Sequence, residues 1–291
     1  MTISQEGLRL SDYCVGIFEE LPSRKSVKKA ISKGRILVNG HPGQTGTWVT
    51  KGMFLQLQDH LEKERPVFRL DLKIIYEDEY MAVLIKPPGI PVSGNQFRTV
   101  NNALPGVLSP SREADRLSYP RAVHRLDSPT SGILLVAKTG RANIALGQQF
   151  AGGTIQKTYQ AIVCGFPKEH GFIDEPIQGK AASTSYRVLQ RERSLKNDFL
   201  SLLELSPKTG RTHQLRIHLS NLGHPIMGDA LYGESGKIYK GKGLFLAATG
   251  IEFQHPIHKK PMFFESKAPS KFELLLSREA QMWTRFQQSQ K

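Results

Sequence analysis

The chain has 291 residues and 40 Lys and Arg against 26 Asp and Glu, for a net charge of +14 and a pI near 9.8. Its length suggests about two domains, each able to bury a core, and 39% hydrophobic with 23% charged residues excludes a disordered or fibrous chain. The first ten residues carry no apolar stretch, the longest apolar runs (residues 81–85 and 133–137) fall far short of a bilayer span, and Cys14 with Cys164 cannot build a disulfide framework. A reducing, cytoplasmic setting without a membrane partner is expected, and the positive excess favours a polyanion, because neutralised phosphates release counterions.

In chain order, residues 11–21 carry an apolar helical pattern (Val15, Ile17, Phe18, Leu21) that Pro22 stops. Ser23 then reads as the N-cap of a second helix. From residue 24 to 35 there are six positive residues, Arg24, Lys25, Lys28, Lys29, Lys33 and Arg35, and no acid, while Val27, Ala30 and Ile31 take the buried spacing. A run of one sign argues against self-stabilising ion pairs within it. Gly34 suits a helix stop, residues 36–38 followed by Asn39-Gly40 read as a strand entering a hairpin turn, and residues 48–57 supply more strand.

Ser23-Arg24, the Lys28 to Ile31 run, Gly34-Arg35 and Val38-Asn39-Gly40, in that order, resemble the small RNA-binding module of ribosomal protein S-four. The resemblance covers about residues 8–57 and implies that the six basic residues lie on RNA phosphates. It departs at Ser11, where that family usually has Asp. The domains expected are 1–57 for this α+β module, 58–72 for a mixed-charge linker with Pro66, and 73–291 for a second domain.

The second domain reads as α+β, without regular βαβ repetition. Strands are expected at 74–76, 80–85, 133–137, 155–163, 199–205 and 244–253, and helices at 141–150 and 213–222. A last helix is expected at the end of the chain, opened by a Ser270/Glu273 capping box.

Four stretches can carry chemistry. Lys86-Pro87-Pro88-Gly89 is a stiff turn at a strand end, on its own most simply a surface turn. His124-Arg125-Leu126-Asp127-Ser128-Pro129-Thr130-Ser131-Gly132 is a rigid turn leading into an apolar strand, suited to holding a side chain outside a core. The bland alternative is an Asx turn at Asp127, with His124 satisfying a loop carbonyl. In residues 155–164 alternation places Lys157 and Tyr159 on one face with apolar neighbours, so Tyr159 is either a core tyrosine or a stacking platform. Residues 209–219 fit a strand or a helix, and Gly223 and Pro225 favour the helix, with Thr212 near its N-cap and Arg216 in an early turn. His213 and His218 are off one helical face and His255 and His258 sit in a Pro-interrupted loop, so no metal site is expected.

His124-Arg125-Leu126-Asp127-x-x-Thr130-Ser131-Gly132, Lys157-x-Tyr159-x-Ala161, Thr209 through His218, and His224-Pro225-Ile226-x-Gly228-Asp229-x-x-Tyr232-Gly233 together resemble the RluA-type family of pseudouridine synthases, over about residues 74–269. The chain departs from it at Leu246-Ala247-Ala248, where the family usually shows Leu-His-Ala. The resemblance implies a central mixed, largely antiparallel sheet flanked by helices, and isomerisation of uridine in RNA to pseudouridine without metal or organic cofactor. It implies Asp127 as the catalytic carboxylate, ionised beside Arg216, with Tyr159 stacked on the target base and a possible aid to proton removal. A stacked uridine is out of reach, so the nucleotide must flip, at a cost of a few kcal/mol. Arg125 is expected either to fill the vacated space or to form a salt bridge or phosphate clamp, and His124 and Arg211 to contact RNA. Ribosomal RNA is the first expectation for the partner and transfer RNA the second, with a monomeric enzyme. Two rival readings are a noncatalytic RNA-binding or ribosome-assembly protein, against which the Asp127, Tyr159 and Arg216 set argues, and a glycoside or nucleoside hydrolase using Asp127, which ordinarily needs a second carboxylate.

Overall fold

The structure is a computed structural model that describes residues 2–3, 7–58, 66–233 and 241–290. It divides into two compact units, Met1–Arg65 and Pro66–Lys291.

In the first unit, α1 (Leu10–Tyr13) is a single turn. The longer helix expected over residues 11–21 does not form: Gly16 takes φ +73° and its N–H bonds back to the Leu21 carbonyl, turning the chain and leaving Val15 exposed. Ser11 is buried and makes no cap. Helix α2 (Arg24–Ser32) starts at Ser23, whose hydroxyl accepts from the Ser26 N–H, and buries Val27, Ala30 and Ile31. Its basic run is not free of acids in space, because Arg24 pairs with Asp12 at 2.7 Å and the half-buried Arg35 with Glu20 at 2.9 Å. Both acids come from the preceding segment, which a reading of the run alone could not supply. Strand β1 (Ile36–Val38) turns through Asn39 (φ +49°) and Gly40 (φ +81°) into β2 (His41–Pro42), and β3 (Leu55–Leu57) completes a three-stranded antiparallel sheet. The strand expected from residue 48 shrinks to Leu55–Leu57 because residues 51–52 form a turn.

Of the expected linker, residues 59–65 lie outside the described residues. Residues 66–72 are not a free tether. Phe68, Leu70 and Leu72 alternate onto a core of the second unit, and the Phe68 N–H bonds the Asn102 carbonyl at 2.9 Å.

That core belongs to a ten-stranded sheet. Strands β4 (Lys73–Glu77) and β5 (Met81–Lys86) are followed by α3 (Val100–Ala103), then β6 (Arg116–Ala122), β7 (Ser131–Thr139) and α4 (Gly140–Ala151). Next come β8 (Gln156–Cys164), β9 (His170–Asp174), β10 (Ser183–Ser194), β11 (Asp198–Pro207) and α5 (Gln214–Asn221). The chain closes with β12 (Leu246–Gln254), β13 (Pro261–Glu265) and α6 (Lys271–Ser289). The order is β4-β5-β7-β12-β8-β11-β10-β9, with β6 also on β7 and β13 on β12. Every pairing is antiparallel except β7 with β12, which meet in parallel at Ser131–Ala247 and Gly132–Ala248.

Apolar alternation along β5 and β7 feeds two cores. Met81, Val83, Ile133 and Leu135 face α4, while Ala82, Leu84, Leu134 and Val136 face α3 and Leu126. A third core, under α5 and α6, gathers Leu215, Leu219, Phe272 and Leu276 against β8 and β11, and Tyr159 packs against it and the α3 core alike. The Ser270 capping box does not form: Ser270 is itself in helical conformation and makes no side-chain cap.

Candidate active site

The Asp127 loop is held from beneath by Lys86. This side chain is completely buried rather than on a surface turn, and its ammonium donates to the carbonyls of Pro87 and Ile90, both at 2.7 Å, and Ser128 at 3.0 Å. Three carbonyls on one cation bind the turn after β5 to the loop before β7. Burial pushes the ammonium down to about 8, against the pull of the Asp127 carboxylate. The loop ends in Gly132, whose φ is +118°; a Cβ there would stand 2.1 Å from the Ala248 carbonyl oxygen. A glycine is thus what the parallel meeting of β7 and β12 requires. On the same ladder the departure at Ala247 is a small buried residue opposite Ser131.

Helix α5 brings the basic partners. Its N-cap position is His213, in the left-handed region at φ +56°, and not Thr212. Buried Gln214 fastens the preceding loop: its amide oxygen accepts from the Thr209 hydroxyl at 2.7 Å and the Arg211 N–H at 2.9 Å, and its amide nitrogen donates to the Ser183 carbonyl at 3.0 Å. Arg216, in the first turn, is only 4% exposed. Its Nε and Nη2 donate to the two carboxylate oxygens of Asp229 at 2.7 and 2.8 Å, and its Nη1 faces Asp127 Oδ2 at 3.5 Å. Burial works against the guanidinium charge, but Asp229 and Asp127 outweigh it and raise its pKa above the ordinary arginine value. On the other carboxylate oxygen, His213 Nε2 stands 3.8 Å from Asp127 Oδ1.

Asp127 lies on the wall shared by two cavities. One, of about 280 Å³, is lined by Tyr159, Lys157, His124, Thr130 and the 209–216 segment; the other, of about 680 Å³, runs past residues 91–94 and 228–231. Arg125 is exposed and borders both. Burial first, and then the Asp127 carboxylate, push the Tyr159 phenol above its ordinary pKa, so it keeps its proton at neutral pH. Lys157 donates to the Thr209 carbonyl at 3.3 Å, and burial lowers its pKa. The Thr130 hydroxyl is buried without a hydrogen-bond partner.

Asp127, Tyr159 and Arg216 are therefore brought together, with Arg125 and Arg211 on the same cavity wall. His124 lines it too, but its Nε2 accepts the Leu135 N–H at 3.0 Å, its ring lies 4.8 Å from that of Phe150, and burial, aided by Lys157, pushes its imidazole down to about 3. It braces the loop as a neutral ring and offers no charge to a phosphate. The six basic residues on and after α2 belong to the other unit. Site selection from sequence left out Lys86, His213, Asp229 and Tyr232, although each stands in a quoted motif. Their shared signal was a polar residue at a turn or helix end. Among the described residues no group of three or more His, Cys, Asp or Glu could hold a metal ion, and no helix is long and apolar enough to cross a membrane.

The arrangement offers an acid clamped from one side, a protonated ring in the adjoining cavity, and cationic walls. That is the equipment for proton transfer or nucleophilic attack on a planar, anion-linked group.

Comparison with known proteins agrees with this inventory. A family model described as RNA pseudouridylate synthase matches residues 80–221. The ribosomal large subunit pseudouridine synthase D of Zymomonas mobilis is 38% identical over 236 residues, covering 71% of this chain and 72% of that protein. The protein of the same name from Pseudomonas aeruginosa is 33% identical over 304 residues, covering 93% of this chain and 92% of that one. Among solved structures, human RNA Pseudouridylate Synthase Domain Containing 1 matches with a TM-score of 0.56 and 27% identity, over 68% of this chain and 84% of that one. The chain belongs to the RNA pseudouridine synthase family of isomerases.

Proposed function

We propose that this chain converts particular uridines of large-subunit ribosomal RNA to pseudouridine, with Asp127 as its catalytic carboxylate. The observation that carries the reading is the Asp127 carboxylate on the wall between two cavities, faced by Arg216 at 3.5 Å and sharing one cavity with Tyr159. The choice of RNA follows from the relatives named above, which are ribosomal large subunit enzymes; transfer RNA is the alternative.

The net reaction breaks the bond from ribose C1′ to ring nitrogen 1 and forms one from C1′ to ring carbon 5. Carbon 5 loses a proton and nitrogen 1 gains one. Asp127, held beside Arg216, attacks or deprotonates the ribose or base while the freed ring rotates. Tyr159 stacks on the ring. Because burial and the Asp127 carboxylate keep its phenol protonated, it can take the carbon-5 proton only after passing its own to a neighbouring anion, and Asp127 is the carboxylate that acts on it electrostatically. Access requires the nucleotide to leave its helix, and Arg125, exposed at the rim of both cavities, is suited to occupy the gap. Residues 1–57 serve as a separate docking module for structured RNA through the exposed lysines of α2.

Ribosomal RNA transcribed with tritium at uracil carbon 5 tests the chemistry. Wild type releases tritium and Asp127→Asn does not; equal release by the variant would sink the assignment. Deleting residues 1–57 weakens RNA binding more than it slows single-turnover chemistry, and unchanged binding refutes the docking role.

A further inference from the structure

His213 is unusual on three counts that the chemistry above leaves unused. It is a non-glycine residue at φ +56°, a conformation that costs a β-carbon-bearing residue free energy and collects at functional sites. Its Nδ1 lies 2.9 Å from the Tyr232 hydroxyl, and its Nε2 is 3.8 Å from Asp127 Oδ1. It borders both of the cavities that meet at Asp127.

For a neutral imidazole these contacts favour one of the two tautomers. A neutral imidazole has one donor and one acceptor nitrogen. If Nδ1 donated to Tyr232, the lone pair on Nε2 would face a carboxylate, which is repulsive. If the Tyr232 O–H donates to Nδ1, the proton sits on Nε2 and points at Asp127 Oδ1, which is attractive. Tyr232 also serves the opposite side of the same carboxylate, because the Arg216 guanidinium carbon lies 5.0 Å from the centre of its ring. Tyr232 is fixed in turn by its own N–H on Asp229 Oδ1 at 3.1 Å and its carbonyl on the Ser220 hydroxyl at 2.8 Å.

We infer that Tyr232 and His213 form a positioning pair: the Tyr232 hydroxyl sets the His213 tautomer, so that His213 Nε2–H aligns one oxygen of Asp127 while Arg216 aligns the other. Arg216 Nη1 stands 3.5 Å from Asp127 Oδ2 and His213 Nε2 stands 3.8 Å from Asp127 Oδ1, one donor facing each carboxylate oxygen. The inference rests on Asp127 being the catalytic carboxylate.

The test uses the full chain and in vitro-transcribed large-subunit ribosomal RNA, tritiated at uracil carbon 5, with kcat, KM and thermal melting read for each variant. In Tyr232→Phe the ring stays beside Arg216 but the tautomer is no longer set, and kcat falls about tenfold with KM within about twofold. At position 213 two substitutions separate alignment from backbone strain. Asn accepts the left-handed conformation readily but its amide reaches only as far as Nδ1, whereas Gln is worse for the backbone yet places an N–H where Nε2 stood. Alignment therefore predicts that His213→Gln turns over faster than His213→Asn, although it melts lower. Adding Tyr232→Phe to His213→Asn costs little more than His213→Asn alone. A His213→Asn enzyme as fast as, or faster than, His213→Gln overturns the proposal, as does wild-type kcat in Tyr232→Phe. Asp127→Asn is the control: if it is inactive while these variants behave as wild type, the positioning pair fails alone, and if it is active, the assignment of Asp127 fails and takes the pair with it.

Discussion

Replacing Asp229 by Asn removes one charge from a buried pair and leaves the shape of the side chain almost unchanged. Asp229 is 1% exposed and accepts four hydrogen bonds, two from Arg216 and one each from the Leu231 and Tyr232 N–H groups. Breaking a buried ion pair by removing one partner costs about 3–5 kcal/mol, because the remaining charge is uncompensated. Asp127, 3.5 Å from the same guanidinium, offsets part of this, so the lower end, about 3 kcal/mol, is expected. For a unit the size of residues 66–291 that is a fall in Tm of roughly 6–12 °C. The loss also depends on pH. Burial works against the Asp229 carboxylate, but Arg216 and the two backbone N–H groups outweigh it and hold its pKa below the ordinary carboxylate value. A carboxyl depressed in the folded state contributes stability that is fully present above its unfolded pKa, about 3.9, and disappears as pH falls through the lower folded value. Urea melts should therefore show the full gap between wild type and Asp229→Asn at pH 7 and a narrowing gap below about pH 4. Tritium release, measured where both proteins are folded, should fall as well, because Arg216 swings from its clamp. A variant within about 1 kcal/mol of wild type at pH 7, or a gap that is the same at pH 3 as at pH 7, refutes the reasoning.

Two further outcomes follow from geometry already described. Gly132→Ala puts a methyl group 2.1 Å from a backbone oxygen in a backbone conformation hostile to L side chains, so it should give little soluble protein. Gly147→Ala, at an exposed position of helix α4 where a Cβ meets nothing within 4 Å, should be stabilised by about 0.5–1 kcal/mol. Equal melting temperatures for the two variants would contradict this. In the first unit, changing Lys25, Lys28 and Lys29 together to Gln should reduce the slope of log affinity for RNA against log salt by about two. Arg24→Gln and Arg35→Gln, whose charges are already partnered by Asp12 and Glu20, should change the slope less; filter binding across a salt series reads both.

The legible parts of the chain were those whose signal is local. The apolar runs of β5 and β7, the Ser23 cap and the Asn39-Gly40 turn each declare themselves within a few residues. The twelve-residue strand Ser183–Ser194 went unread because one of its faces meets solvent and its sequence is largely polar, so no apolar run marks it. Within the site, the Asp127 loop could be picked out by its Asp, Ser, Pro and Gly content. The burial of Lys86 could not, since its three acceptors include Ser128, which only the folded sheet brings alongside. The same holds for Asp229 under Arg216, and for the left-handed His213, where Thr212 is the better cap by residue type but the loop's bonds to Gln214 set the chain's direction.

The parallel meeting of β7 and β12 has a mechanical consequence. On one side of it the sheet is β4-β5-β7 with the core under α3; on the other it is β12-β8-β11-β10-β9 with the core under α5 and α6. The ladder joining the halves has two residue pairs, against six between β5 and β7 or between β8 and β11, so the halves are joined mainly by side chains, Ile133 and Leu135 of β7 packing in one core with Ile251 and Phe253 of β12. Asp127 is carried by the first half, and Tyr159 and Arg216 by the second. The gap between the acid and its two partners is therefore set by side-chain packing that runs across the line, with Tyr159 touching the cores of both halves, and not by the backbone ladder alone.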